Sequence, residues 1–132
     1  MKVLTKNTDY AVRALADLAA HKNTVRSAKE ISESQKIPYE FLRKILSRLI
    51  KNNIVESKEG GAGGFKLKTD PERIKLTDLI KIFQGKVQFS ACMFRQDLCP
   101  NRKHCILRKN ILHIEQNVIK QLGAITIASL KG

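Results

Sequence analysis

Cys92, Cys99 and Cys105 are the only cysteines among 132 residues, and all three fall in the polar stretch CMFRQDLCPNRKHC. Six residues separate the first pair and five the second. Soft thiolate ligands favour iron–sulfur clusters and zinc, and three on one loop suit a cluster. The close C-x-x-C pairs of a zinc ribbon are missing, which weakens a zinc reading. An odd count does not make a disulfide framework, and disulfides are rare inside cells. Arg102 and Lys103 beside the cysteines favour thiolates and would offset the charge of a bound cluster. Cluster, zinc site and redox-reactive thiols all remain open on spacing alone.

Composition narrows the partners. Twenty-five Lys and Arg against twelve Asp and Glu give a net charge of +13. Such an excess attracts polyanions, of which nucleic acid is the commonest. The apolar run near the start is too short for a signal peptide, and charges interrupt every longer apolar stretch. The sequence therefore predicts a soluble cytoplasmic protein with no membrane partner. No HExxH, phosphate-binding glycine loop or Ser-His-Asp spacing is present, which argues against an enzyme.

The elements that position the cysteines read as mainly helical. TDYAVRALADLAAHK predicts a helix with Thr8 as N-cap, Asp9 at its positive end, and Val12, Leu15, Ala16 and Ala19 inward. Ser27 and Glu30 have capping-box spacing at the start of a second helix. After a break at Gln35–Pro38, a third helix carries an apolar stripe of Phe41, Leu42, Ile45, Leu46, Leu49 and Ile50. Its other face holds Arg43, Lys44, Ser47, Arg48 and Lys51, and Asn52–Asn53 ends it. Two helices joined by a tight turn, the second with a basic outer face, make a helix-turn-helix.

Two β-prone stretches, Ile54–Ser57 and Phe65–Leu67, surround the glycines of GGAGG, with Lys58, Lys66 and Lys68 alongside. Behind a helix-turn-helix this predicts a wing, in which Gly61 and Gly63 let backbone approach a phosphate or minor groove. A short helix from Thr77 has Leu79, Ile80 and Phe83 inward and stops at Gly85. After Cys105 a long helix running through Leu130 carries Leu107, Ile111, Ile114, Val118, Leu122 and Ile125 as a seam. The seam predicts pairing with a second copy, a homodimer suited to a palindromic double-stranded DNA operator. The expected fold is mainly α with a small β-wing. It comprises a winged helix-turn-helix over residues 1–76, then a linker helix, the cysteine loop 92–105 and a dimerisation helix over residues 77–132.

On the third helix, Arg43 and Lys44 are candidates for base-edge contacts, and Glu40 either accepts from a cytosine amine or simply caps its helix. Arg48, Lys51 and Lys58 are candidates for phosphates, joined at the interface by Ser27, Ser47, Gly61, Gly63 and Lys66.

LTKNTDYAVRAL, SAKEISESQKIPYEFLRKILSRLIKNNIVES, GGAGGFKL and a late three-cysteine loop occur in that order. Over nearly the whole chain this resembles the winged-helix regulators that include IscR, the iron–sulfur assembly regulator, and NsrR, the nitric-oxide-sensing repressor. The resemblance implies a dimeric transcription factor, most simply a repressor, whose Cys92, Cys99 and Cys105 hold an iron–sulfur cluster. IscR-type proteins add a histidine three residues after the last cysteine, where this chain has Arg108, which cannot ligate. NsrR-type proteins can use an aspartate at the start of the first helix of the partner subunit, and Asp9 occupies that position. A 4Fe-4S cluster completed by Asp9 is favoured over 2Fe-2S, with His104 as the fallback ligand. The first cysteine gap is longer than is usual in the family, which leaves cluster geometry open. The alternatives are a zinc- or thiol-based winged-helix regulator and a regulator of cluster assembly.

Overall fold

The computed structural model describes residues 4–61, 63–85, 87 and 106–130. Helices α1 (Lys6–Ala20), α2 (Ala28–Gln35) and α3 (Tyr39–Lys51) are followed by strands β1 (Val55–Lys58) and β2 (Gly64–Leu67). Helix α4 (Leu76–Phe83) precedes the cysteine segment and α5 (Ile106–Gly123) follows it. The fold is mainly helical with a small two-stranded antiparallel sheet, as the sequence predicts.

Helix α1 starts earlier than predicted. Thr5, not Thr8, is the N-cap, and its hydroxyl accepts from the Thr8 amide at 3.4 Å. Thr8 is fully buried, and its Oγ1 donates to Gln84 Oε1 at 2.7 Å. The Thr5 amide donates to the same oxygen at 2.9 Å, so the end of α4 is tied to the first turn of α1. The inward face of α1 is Ala11, Ala14, Leu15 and Leu18; the predicted Val12 and Ala16 lie at its margin.

The capping box at Ser27 is present in full. Ser27 Oγ accepts from the Glu30 amide at 3.1 Å, and Glu30 Oε1 accepts from the Ser27 amide at 3.0 Å. Lys36, in the left-handed conformation at φ 54°, ends α2, and Pro38 caps α3. The core stripe of α3 is Leu42, Ile45, Leu46 and Leu49. Phe41, predicted inside, is 52% exposed. A helix turns about 100° per residue, which carries Phe41 off the edge of a stripe centred on Leu42 and Leu49. Asn53, at φ 61°, supplies the left-handed turn after α3.

The strands pair from Val55↔Leu67 to Lys58↔Gly64, and Arg26 adds an isolated bridge to Phe65. Helix α4 buries Leu76, Leu79 and Ile80, with Phe83 half-buried. Helix α5 stops at Gly123, short of the predicted end at Leu130 and of the seam's last residue, Ile125. The chain then pairs with residues before α4: Leu76 donates to the Ile125 carbonyl at 2.9 Å and Ile127 to the Ile74 carbonyl at 3.0 Å. Ile127 is thereby buried in the same hydrophobic cluster as Leu15, Leu42 and Leu79. On α5, Ile106 is 74% exposed, Leu107 65% and Ile114 48%.

Candidate nucleic-acid interface

Tyr39, Glu40, Arg43, Lys44, Ser47 and Arg48 line one open, shallow groove along the outer face of α3. The helix puts them there because Leu42, Ile45, Leu46 and Leu49 claim the opposite side. All six are exposed, as is Lys51 one turn further on. Glu40, Ser47 and Lys51 recur near the middle of this face by the 3.6-residue period, with Arg43 on one flank and Arg48 on the other. A protruding helix with this mix of charge and hydrogen-bonding groups can enter a major groove and read base edges.

Two contacts hold the flanking arginines. The Arg43 guanidinium lies over the Tyr39 ring at 5.8 Å from its centroid, and that of Arg48 lies over Phe83 at 5.4 Å. Stacking on a ring limits the rotamers of a long side chain and leaves its N–H edge available. The Tyr39–Arg43 brace was missed in sequence, although its i, i+4 spacing was visible there. Phe41, Lys44 and Arg48 also meet Asn7 and Phe83 in a small cleft on the α4 side.

The wing residues are not equivalent. Lys58 is exposed, and its side chain has no hydrogen-bond or ion-pair partner among the described residues. Lys66 Nζ lies 3.3 Å from Glu56 Oε1 across the strands, so contact with a phosphate would require it to leave that pair. Gly61 has open space where a side chain would begin, with nothing within 4 Å of a Cβ placed there. Gly63 serves the wing itself, because a Cβ there would collide with the Lys58 carbonyl. Ser27 Oγ accepts the Glu30 amide in its capping box, so its hydroxyl proton is what it has left to donate to another molecule.

The second group of candidates is divided. Asp9 stands in the first turn of α1, its carboxylate 45% exposed and 3.1 Å from the guanidinium of Arg13. Arg13 also donates to the Gln35 carbonyl, at the last residue of α2, at 3.5 Å. Cys92, Cys99, Cys105 and His104 lie outside the described residues. Among the described residues no cluster of His, Cys, Asp or Glu could by itself hold a metal. Arg108 falls in the first turn of α5.

The sequence pattern of the Rrf2 family, described as an iron-dependent transcriptional regulator, matches residues 4–131. The chain belongs to the Rrf2 family. It is 30% identical to the transcriptional regulator NsrR of Shouchella clausii, with 90% of this chain and 87% of that protein aligned. It is 31% identical to IscR of Xenorhabdus nematophila, over 96% of this chain and 77% of the relative. Among solved structures it resembles T. potens IscR with a TM-score of 0.77 and 25% identity, covering 98% of this chain and 85% of the other. The B. subtilis global cysteine regulator CymR superposes with a TM-score of 0.80 at 22% identity, over 99% and 97% of the two chains, a likeness of fold. Rrf2 relatives are transcriptional regulators rather than enzymes. Among the described residues no helix is long and apolar enough to cross a membrane.

Proposed function

We propose that this Rrf2 protein is a cytoplasmic homodimeric repressor that binds a palindromic operator and responds to the state of an iron–sulfur cluster, 4Fe-4S in preference to 2Fe-2S. Cys92, Cys99 and Cys105 of one subunit hold the cluster, and Asp9 of the partner subunit completes it. The observation that carries the reading is the half-exposed Asp9 carboxylate in the first turn of α1, in a chain with three thiols on one loop. The donor set fits: three soft thiolates suit iron–sulfur ligation, and Asp9 has only a surface ion pair to relinquish, worth at most ~1 kcal/mol. Arg108 has no lone pair to offer in the place of a ligating histidine. When bound, the cluster supplies a centre that nitric oxide, oxygen or iron shortage converts or removes.

The chain's own residues explain how such a loss reaches DNA. Asp9 and Arg13 share one face of α1, and Arg13 touches the carbonyl of Gln35 just before the turn into α3. Gln84 fixes that end of α1 to the end of α4, from which the chain leaves for the cysteine loop. A pull on Asp9 therefore bears on the two elements that orient the recognition helix. The exposed Leu107 and Ile114 of α5 supply the apolar surface for pairing with a second copy.

On α3, Arg43 and Lys44 read base edges with Glu40 between them, while Arg48 and Lys51 of α3 and Lys58 of the wing hold phosphates. Protein prepared without oxygen tests the reading: it should carry iron and sulfide, and its operator affinity should change when they are removed. Colourless protein holding zinc, or reduced thiols with no metal, points instead to a zinc- or thiol-based regulator.

A further inference from the structure

The wing is attached to the helix-turn-helix on both sides. On one side β1 continues directly from α3. On the other the attachment is Arg26, in the connection between α1 and α2. Its amide donates to the Phe65 carbonyl at 2.9 Å and its carbonyl accepts from the Phe65 amide at 2.7 Å, so β2 gains a second neighbour. The approach is close: a Cβ on Gly64 would lie 2.5 Å from the Arg26 carbonyl oxygen, which only glycine avoids.

The side chain of Arg26 is occupied as fully as its backbone. Its Nε donates to Asp17 Oδ1 at 3.0 Å, and a terminal nitrogen donates to Asp17 Oδ2 at 3.3 Å. The other terminal nitrogen donates to Glu30 Oε2 at 3.0 Å. Asp17 lies on α1 with its side chain 1% exposed, and Gln35 from the end of α2 donates to its Oδ2 at 3.4 Å. One residue thus binds α1, α2 and β2 at once. With 17% of its side chain exposed and each of its three nitrogens already bonded to a carboxylate, Arg26 is poorly placed to hold a phosphate itself.

We infer that Arg26, gripped by Asp17, is a positioning residue for DNA binding. It fixes the wing relative to the recognition helix, so that Lys58 at the wing and Arg43 on α3 meet one duplex as a rigid pair. The inference rests on the reading of Lys58 as a phosphate contact. A residue that merely stabilised the fold would weaken every DNA contact alike. A positioning residue removes the wing's contribution and leaves that of α3.

The test is a double-mutant cycle on the full chain, using a duplex selected by the wild-type protein from random-sequence DNA. Lys58→Ala should weaken wild-type binding about fivefold, the loss of one charge-assisted contact. In an Asp17→Asn background the same substitution should cost less than about twofold, whereas Arg43→Ala should keep its full effect in both backgrounds. Equal cost of Lys58→Ala in the two backgrounds overturns the inference. No cost in the wild type overturns the phosphate role of Lys58 first, and the inference with it. Should Asp17→Asn fail to fold, Arg26→Lys serves the same cycle by the same criteria, since it keeps the charge and loses the two-pronged grip.

Discussion

Asp9 and Arg13 face each other across one turn of α1, the carboxylate 3.1 Å from the guanidinium and each side chain about half exposed. An ion pair so placed contributes little to folding, because water screens both partners. Asp9→Ala should change the unfolding free energy of the cluster-free protein by less than ~1 kcal/mol in urea titration. The same substitution should hasten loss of iron from the loaded protein, followed by its visible absorbance. Unchanged cluster stability and spectrum would remove Asp9 from the ligand set.

Asp17 is the opposite case. Burial pushes its carboxyl up, but hydrogen bonds from Arg26, Ser34 and Gln35, with the charge of Arg26, outweigh that and hold it below the usual value of 3.8. A carboxyl whose folded value is depressed stabilises the protein above its unfolded value and loses that contribution as pH falls through the folded value. Removing one partner of a buried pair costs about 3–5 kcal/mol, so Asp17→Ala should be severely destabilised near neutral pH. The gap between wild type and variant should narrow below about pH 4, measured by denaturant unfolding across the acid range.

Arg43 is braced on Tyr39, its guanidinium 5.8 Å from the ring centroid. Arg43→Ala should relax preference at one base pair by ~1–3 kcal/mol in competition binding with single-base operator variants. Lys58→Ala should weaken all sequences about equally and lower the salt dependence by about one counterion. Identical behaviour of the two variants would show that Arg43 does not read a base.

Leu107 and Ile114, one above the other on α5 and 65% and 48% exposed, are the apolar surface of the proposed dimer. Ile114→Glu should halve the mass measured by light scattering after gel filtration, while the circular dichroism of the DNA-binding helices persists. A full-size dimer carrying that glutamate would place the interface elsewhere.

Much of this architecture was legible in the sequence, because local signals set it. The Ser27–Glu30 capping box, the Leu42–Leu49 stripe and the glycine-rich hairpin each depend on residues a few positions apart, and each formed. The basic face of α3 was legible for the same reason. What escaped depends on distant partners. Thr8 looked like a cap, but its hydroxyl goes to Gln84, seventy-six residues away. Ile125 continued the apolar period of α5, yet backbone pairing with residues next to α4 ends the helix at Gly123. Phe41 counted as core because it is apolar, and only its angle on the helix shows it outward. Lys66 looked free until strand register set it opposite Glu56. The Asp17–Arg26 grip joins residues whose only sequence sign was opposite charge.

Iron and acid-labile sulfide measured on protein purified without oxygen test the central claim most directly. Brown protein with about four irons and four sulfides per chain is the result expected of the proposed 4Fe-4S cluster on Cys92, Cys99, Cys105 and the partner's Asp9, and about two of each would mean 2Fe-2S. Colourless protein with one tightly held zinc would contradict it.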